Sequence, residues 1–445
     1  MRKISWLSAF ALVVGLLWAV PASAYAPPGG ALFNVPAPWG SDTARFRLVR
    51  HVEKAINETR PTAADPRPVI LISTFLLDRT QSVDAMIGAC RRGVSVRVIL
   101  DEDIISASSK RLITMLNADN VRDDNGDGVA DAPPKARPCN RKPRARTTGG
   151  TVPPLTNAQA LRSVSVPTAA SVTWGRDRSY VKKCDGSCRG AGGNMHSKFF
   201  VFSSTGTAKN VVMVSSSNLN EGGATTGWND LYTMTGRPKS YQAYLQVHRE
   251  MTDDTRANDD KVEVRDGPFT SRFFPMRNAG KRNDPTLQDL NRIRCHSAYG
   301  RTKIFVSMFY WAGTRGDYLA TKLLSLARSG CQVSVIYGAP SVKIAARLRD
   351  AARAGRISLF DSRWDMNADG HQELRTHSKY VLVRGTVGGD TSSHLVMTGS
   401  QNWVAGSLSR GDELSLNIAL GSAYNDYVAD WRNIRAHSRR VPRPR

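Results

Sequence analysis

Acidic residues are scarce in this chain: 38 Asp and Glu stand against 62 Lys and Arg, a formal net charge of +24. That imbalance points to a polyanionic partner, whether nucleic acid, an anionic membrane surface or an acidic wall polymer. Apolar runs of membrane-spanning length are missing after Val20, which excludes a chain that crosses the bilayer by several helices. Aromatic residues are missing from two basic runs, Lys135 to Arg146 and Arg439 to Arg445. Both read as mobile cationic segments that hold a polyanion by charge, without base stacking. Cysteine is limited to 6 residues.

The N-terminus carries what the rest lacks. Arg2 and Lys3 precede an apolar stretch from Ile4 to Val20, and Ala22-Ser23-Ala24 is a small-residue cleavage site. Residues 1–24 therefore read as a secretory signal peptide, with an uncleaved anchor as the alternative. The mature chain is expected to be secreted, and loss of Arg2 and Lys3 takes its charge to +22. Exported cysteines oxidise, so disulfides are expected. Proximity along the chain pairs Cys184 with Cys188, Cys295 with Cys331, and Cys90 with Cys139. A zinc site at Cys184 and Cys188 is the rival reading.

Pro27 to Pro38 is rich in Pro and Gly, an extended lead-in. Phe46, Leu48, Val49, Val52 and Ile56 then fall at helical spacing. Val69 to Phe75 reads as a buried strand, Ser82 to Arg92 as a helix stopped by Gly93, and Val94 to Leu100 as a second strand. The same order returns at Lys303 to Phe309, Tyr318 to Arg328 with Gly330 as its stop, and Val333 to Tyr337. The expectation is an α/β protein of two duplicated lobes, each a mixed or parallel sheet flanked by helices. The divisions are 25–42 lead-in, 43–252 first lobe, 253–283 connector, 284–437 second lobe and 438–445 basic tail. Phe269, Phe273 and Phe274 are expected to pack the connector, and Phe273-Phe274-Pro275-Met276 as a membrane-touching tip is the alternative.

One motif occurs in both halves. Met195-His196-Ser197-Lys198 opens an apolar run, and a second apolar run ends in Ser215-Ser216-Ser217-Asn218. Thr376-His377-Ser378-Lys379 does the same, followed by Gly399-Ser400-Gln401-Asn402. Residues two apart in extended chain share a face, so each His projects with its Lys. An ammonium beside an imidazole suits a phosphate oxyanion: one neutralises it while the other attacks or moves a proton. A single His-x-Lys is more often a solvated pair; two copies with matching Asn turns are not.

These residues resemble the phospholipase D superfamily, whose signature is His-x-Lys, four residues, Asp, then a Gly-Ser-x-Asn turn, twice per active site. The resemblance runs from about Thr43 to Trp431. The motif Asp is replaced by Ser203 in the first half and Arg384 in the second. The resemblance implies an active site between the lobes, with His196 as nucleophile and His377 as acid; the residues alone leave those roles open. Lys198, Lys379, Asn218 and Asn402 are expected on the non-bridging oxygens, with Ser216 and Ser400 as secondary donors. The acidic residue that this family places eleven after the Asn falls on Glu413. In the first half the count lands on Asn229, with Asp230 next to it. Asp230 and Glu413 are expected to orient the opposing imidazoles.

Two loops, Asp123-Asp124-Asn125-Gly126-Asp127-Gly128 and Asp365-Met366-Asn367-Ala368-Asp369-Gly370, open like calcium loops. Asp131 and Glu373 stand at the ninth position. The Glu usual at the twelfth is absent, Pro134 and Thr376 standing there, and a polar turn with Asx caps is the plain reading. Calcium is expected at most as a structural ion, and no cofactor is required for the chemistry.

The expected function is a secreted phosphoric diester hydrolase of phospholipase D type. It would hydrolyse phospholipid headgroups, or transfer them to another alcohol, through a phosphohistidine. The alternatives are a metal-independent nuclease and a non-catalytic binder of anionic lipid or polymer. Both motifs lie in one chain, so a monomer is expected to suffice.

Overall fold

The computed structural model describes residues 25–116, 179–253, 256–257 and 262–441. The leader, Cys139, the first calcium-type loop (Asp123, Asn125, Asp127) and the basic run Lys135 to Arg146 lie outside them, as do the last residues of the tail.

Each half builds one mixed sheet. In the first, Val69–Thr74, Ser95–Asp101 and Tyr180–Cys184 run parallel. Antiparallel strands Phe199–Thr205, Ala208–Ser215, Asp230–Met234 and Gly30–Phe33 continue from the other side of Val69–Thr74. In the second, Lys303–Trp311, Gln332–Pro340 and Ser358–Asp361 are the parallel set, and Lys379–Val387, Asp390–Gly399 and Glu413–Ile418 the antiparallel one. The duplication reaches single residues. Ile72 lies between Val98 and Phe200, and Val306 lies between Val335 and Val381.

These strands read as unbroken apolar runs because both of their faces are covered. Ile70, Ile72, Val96 and Phe200 face helices Arg47–Glu58 and Thr80–Arg91. Their neighbours Leu71, Ile99, Phe199 and Val201 face inward, into a core shared with Tyr380, Leu382, Leu414 and Leu416 of the second lobe. Helices Pro238–Thr252 and Gly421–Ala436 fill that shared layer through Tyr244, Met251, Tyr427 and Trp431. Helices Gly313–Arg328 and Val342–Arg353 cover the far side of the second sheet. One apolar core therefore runs between the sheets and holds the lobes in register.

Cys184–Cys188 and Cys295–Cys331 are disulfides, with Cα atoms 5.1 Å and 4.6 Å apart. The segment expected as a connector contains a β-hairpin, Val262–Asp266 and Phe269–Phe274, that extends the second sheet beyond Glu413–Ile418. Alternation explains it: Phe269 and Phe273 point into the shared core with Val262 and Val264. Phe273, Phe274 and Met276 are buried, so they form no membrane-touching tip. The tail is not wholly free either. Arg439–Arg440 pairs with Phe360 and Asp361 as an edge strand.

Two short cross-lobe pairings end beside the repeated motif. Arg375–Thr376 runs parallel to Gly227–Trp228, and Met195 bridges to Asp412. His377 and Ser378 donate their N–H groups to Trp228 O (2.9 and 2.8 Å), and His196 N donates to Asp412 O (3.0 Å). Each histidine is thus held through its backbone by the opposite lobe.

Candidate active site

The lobes approach closely because glycine lines the seams. A Cβ on Gly190 would meet Arg410 O at 1.9 Å, and one on Gly227 would meet Asn229 Nδ2 at 2.9 Å and His377 Cβ at 3.2 Å. Asp412 clamps the first seam. Its carboxylate accepts from Ser187 Oγ (2.8 Å), Cys188 N (2.6 Å) and Arg189 N (3.4 Å), all within or beside the loop closed by Cys184–Cys188. Burial pushes its carboxyl up to about 6.

The imidazoles face carboxylate and amide partners from the other lobe. His196 Nδ1 lies 3.0 Å from Glu413 Oε1, and His377 Nδ1 lies 2.8 Å from Asn229 Oδ1. Glu413 also accepts from Ser400 Oγ and from Ser407 Oγ (2.8 Å). Asn229 donates to Gly223 O (3.0 Å) and Gly227 O (3.1 Å), which turns its Oδ1 towards His377. An oxygen partner in both cases puts the proton on Nδ1 and leaves Nε2 for chemistry.

This arrangement corrects two expectations. Asp230 does not touch His377; its carboxylate accepts from Thr398 Oγ1 and from Tyr427 OH (2.9 Å) across the interface. The orienting residue is Asn229, which stands at the eleven-residue position itself and presents an amide oxygen where an acid was expected. Ser216 and Ser400 are fully buried, and both hydroxyls are engaged within the protein. Ser216 Oγ donates to Asn229 Oδ1 (3.1 Å) and accepts from Asp230 N (3.0 Å). Ser400 Oγ donates to Glu413 and accepts from Leu414 N (3.1 Å). Both serines hold the orienters.

Lys198 and Lys379 are buried, and each Nζ donates to the carbonyl of its own motif histidine. Lys198 Nζ sits 5.5 Å over the Phe75 ring and Lys379 Nζ 5.1 Å over Phe309. The same rings flank His196 (5.3 Å) and His377 (4.7 Å). Asn218 Oδ1 accepts from Leu76 N (3.4 Å) and Asn402 Oδ1 from Tyr310 N (3.3 Å). Each carboxamide is thereby fixed with its NH₂ as the remaining donor. Buried Arg315 secures the second turn by donating to Asn402 O (3.0 Å) and Gln401 Oε1 (2.8 Å). Phe75, Phe309, Asp412 and Arg315 escaped the sequence reading; for the two phenylalanines the matching ends of the first strand in each half were the available signal.

Electrostatics join these groups into one site. Burial lowers the His196 pKa while Glu413 opposes the shift. Burial, then Lys379, Lys198 and His196, drive His377 well below its ordinary value. Burial brings Lys198 down to about 7, and burial with Lys198 takes Lys379 well below the usual lysine range. A buried cationic pair that prefers to lose protons is short of an anion. Inorganic phosphate binding at pH 8 is therefore expected to take up protons, because the oxyanion returns the amines to the ammonium form. Titration calorimetry in buffers of different ionisation enthalpy measures the uptake; a buffer-independent heat would contradict it.

The missing motif Asp positions lie away from this centre. Ser203 and Arg384 each stand five residues beyond the Lys, roughly 16 Å along the strand. Ser203 Oγ accepts from Val69 N (2.8 Å) and donates to Asp65 Oδ2 (2.7 Å), while the Arg384 guanidinium lies 4.2 Å over Tyr299. Ser203→Ala is expected to cost about 1–2 kcal/mol of stability by stranding those partners. Turnover should stay within about threefold of the parent, since the change is remote from the chemistry. A thermal melt and a rate measurement check both halves of the expectation.

In the second calcium-type loop, Asp365, Asp369 and Glu373 each turn an oxygen to within 4.8 Å of the others. The loop's own N–H groups already bond them: Gly370 N to Asp365 (2.8 Å), His371 N to Asp369 (2.8 Å) and Met366 N to Glu373 (2.9 Å). Asn367 bonds Asp369 within the loop.

No curated protein matches this chain. Among solved structures, phosphatidylserine synthase from Haemophilus influenzae Rd KW20 shares 13% identity over 92% of this chain and 87% of its own, with a TM-score of 0.51. Polyphosphate kinase from Porphyromonas gingivalis shares 11% identity over 91% of this chain at a TM-score of 0.49. This chain spans only 50% of that kinase's length. Nuc of Salmonella typhimurium, a phospholipase D family member, shares 15% identity over 39% of this chain and 99% of its own, with a TM-score of 0.28. The synthase likeness speaks for a common fold. The family model described as "Cardiolipin synthase, PLD-like domain" matches residues 64–251 and 296–433, the two halves that each carry one histidine motif. The chain belongs to the phospholipase D superfamily.

Proposed function

We propose that this protein is an exported phosphodiesterase that cleaves phospholipid headgroups, by hydrolysis or by transfer to another alcohol, through a phosphohistidine. The observation that carries this reading is the pair of imidazoles presented from opposite lobes, each with Nδ1 held by an oxygen and Nε2 left over. His196 attacks phosphorus through Nε2, and His377 protonates the departing alkoxide. Neutral His377 then takes a proton from water, which cleaves the P–N bond and restores His196. A positive charge develops on His196 when it bonds phosphorus, and the Glu413 carboxylate stabilises it. Asn229 offers His377 no such charge, so His377 releases its proton more readily. That asymmetry supports His196 as nucleophile and His377 as acid. Lys198, Lys379 and the NH₂ groups of Asn218 and Asn402 stabilise the non-bridging oxygens as charge builds. Export rests on the leader Met1 to Ala24.

A second reading, a metal-independent nuclease, draws on the mature chain's net charge of +22, the whole chain's +24 less Arg2 and Lys3. A paired assay separates them. The mature protein is given choline-, ethanolamine- and glycerol-headed vesicles in one arm and single- and double-stranded DNA in the other, both with EDTA. Headgroup release is the result expected; DNA cleavage with intact lipid would make the protein a nuclease. Binding without turnover of either would leave it a non-catalytic binder.

A further inference from the structure

Beyond the orienting pair Glu413 and Asn229, the two half-sites also differ two residues before each histidine. Two residues before His196 stands Asn194, whose backbone carbonyl accepts from Asp412 N (3.0 Å) and whose side chain hydrogen-bonds Asp101. Two residues before His377 stands Arg375. Its guanidinium carbon lies 5.3 Å over the Phe309 ring, the ring that also packs 4.7 Å from His377 and carries Lys379. Arg375 donates to Gln372 O at 3.3 Å and forms no ion pair among the described residues. Nearby Arg363 is neutralised by Asp361, with Nη2 2.7 Å from its carboxylate. Backbone pairing with Gly227–Trp228 keeps Arg375 at the lobe seam. A half-buried guanidinium without a carboxylate, stacked on an active-site ring, is a poor choice for stability and a good one for receiving an oxyanion.

We infer that Arg375 forms an anion subsite for the leaving alcohol, so that the substrate is a phosphodiester whose leaving alcohol carries its own phosphate or carboxylate. The assignment of the leaving-group side rests on the functional reading above. In-line displacement puts the nucleophile His196 and the leaving oxygen on opposite sides of phosphorus, and the leaving oxygen beside His377. Phe309 and Arg375 are then the neighbours of the departing alcohol. The half-site around His196 offers Phe75 but no second cation in the place of Arg375. The substrate accordingly has a direction, its acidic alcohol towards the second lobe. Among phospholipids this selects acidic headgroups over choline.

Binding tests the subsite without requiring turnover. 1,3-Propanediol monophosphate and 1,3-propanediol bisphosphate differ only in the second anion. By calorimetry the bisphosphate is expected to bind the mature protein roughly 10- to 100-fold more tightly, the range of a charge-assisted hydrogen bond. That advantage should collapse in Arg375→Gln and return in part in Arg375→Lys, with circular dichroism showing both folded. Equal affinity of the two probes, or an advantage that survives Arg375→Gln, would overturn the inference. A second arm uses dihexanoyl phosphatidylserine and dihexanoyl phosphatidylcholine as soluble monomers, which removes vesicle surface charge from the comparison. The serine lipid should have the higher kcat/KM by about tenfold or more, a preference that Arg375→Gln erases. If neither lipid turns over, the phospholipid reading fails, and the bisphosphate titration still decides the subsite.

Discussion

On methyl 4-nitrophenyl phosphate, His196→Ala is expected to abolish turnover and leave no covalent adduct, while His377→Ala forms the adduct and stalls. The reasoning follows what each imidazole contributes. Removing His196 removes the nucleophile, and loss of about 10⁴-fold or more follows, because the remaining cations and amides have no group to stabilise. Removing His377 removes a proton donor that 4-nitrophenolate does not need. The first step therefore survives, and release of one equivalent of nitrophenol precedes a halt at the P–N bond, where water has lost its base. On an ordinary alkyl ester the same variant should lose about 10²- to 10⁴-fold in the first step as well. Rapid quench followed by intact mass reads the adduct directly, and peptide mapping places it. An adduct on His377 in the His196 variant would exchange the two roles. Full turnover in both variants would remove the site from consideration altogether.

Much of the site was legible in the sequence because it is duplicated. His196, Lys198, Asn218, His377, Lys379 and Asn402 stand in two matching runs; the charges of His196, Lys198, His377 and Lys379 act on one another across the lobes, and Asn218 and Asn402 bond the residues next to Phe75 and Phe309 in their own halves. The first strand, helix and second strand of each half were legible for the same reason, being apolar on both faces and closed by glycine. What escaped was set by contacts between lobes. Asn229 orients His377 although it is not acidic, because a carboxamide held by two carbonyls presents its oxygen as firmly as a carboxylate would. Asp412 caps a disulfide loop more than 220 positions earlier in the chain, a relation with no local periodicity. The hairpin Val262–Phe274 was hidden by its charged flanks; its Phe269–Ser271–Phe273 alternation is legible only against the sheet edge it joins. Helix Pro238–Thr252 is buried nearly all round and so lacks the one-sided pattern by which surface helices are recognised.

The orienting pair gives the two half-sites different charge at Nδ1, and exchanging that charge should move the pH dependence in a direction that can be worked out in advance. His377 has to be protonated to act as acid, so the rate falls as pH rises through its pKa in the substrate complex. Burial and the neighbouring cations hold that pKa down in the free site, and Asn229 brings no negative charge to raise it. Asn229→Asp places a carboxylate on the same Nδ1–H, which favours the imidazolium. The alkaline limb of the rate profile should then move up by about one unit or more. The complementary change, Glu413→Gln, keeps an oxygen for His196 Nδ1 but removes the charge that stabilises the phosphorylated imidazole. Turnover should drop by about 100-fold, the scale of a single strong electrostatic contribution to the transition state. The acid limb, where His196 must be neutral to attack, should move down, because loss of a carboxylate lowers the His196 pKa further. If both variants moved the same limb of the profile, the two histidines would share one role. An alkaline limb that moves up only in Asn229→Asp, with an acid limb that moves down only in Glu413→Gln, makes His377 the acid and His196 the base, with the carboxylate on the side of the base.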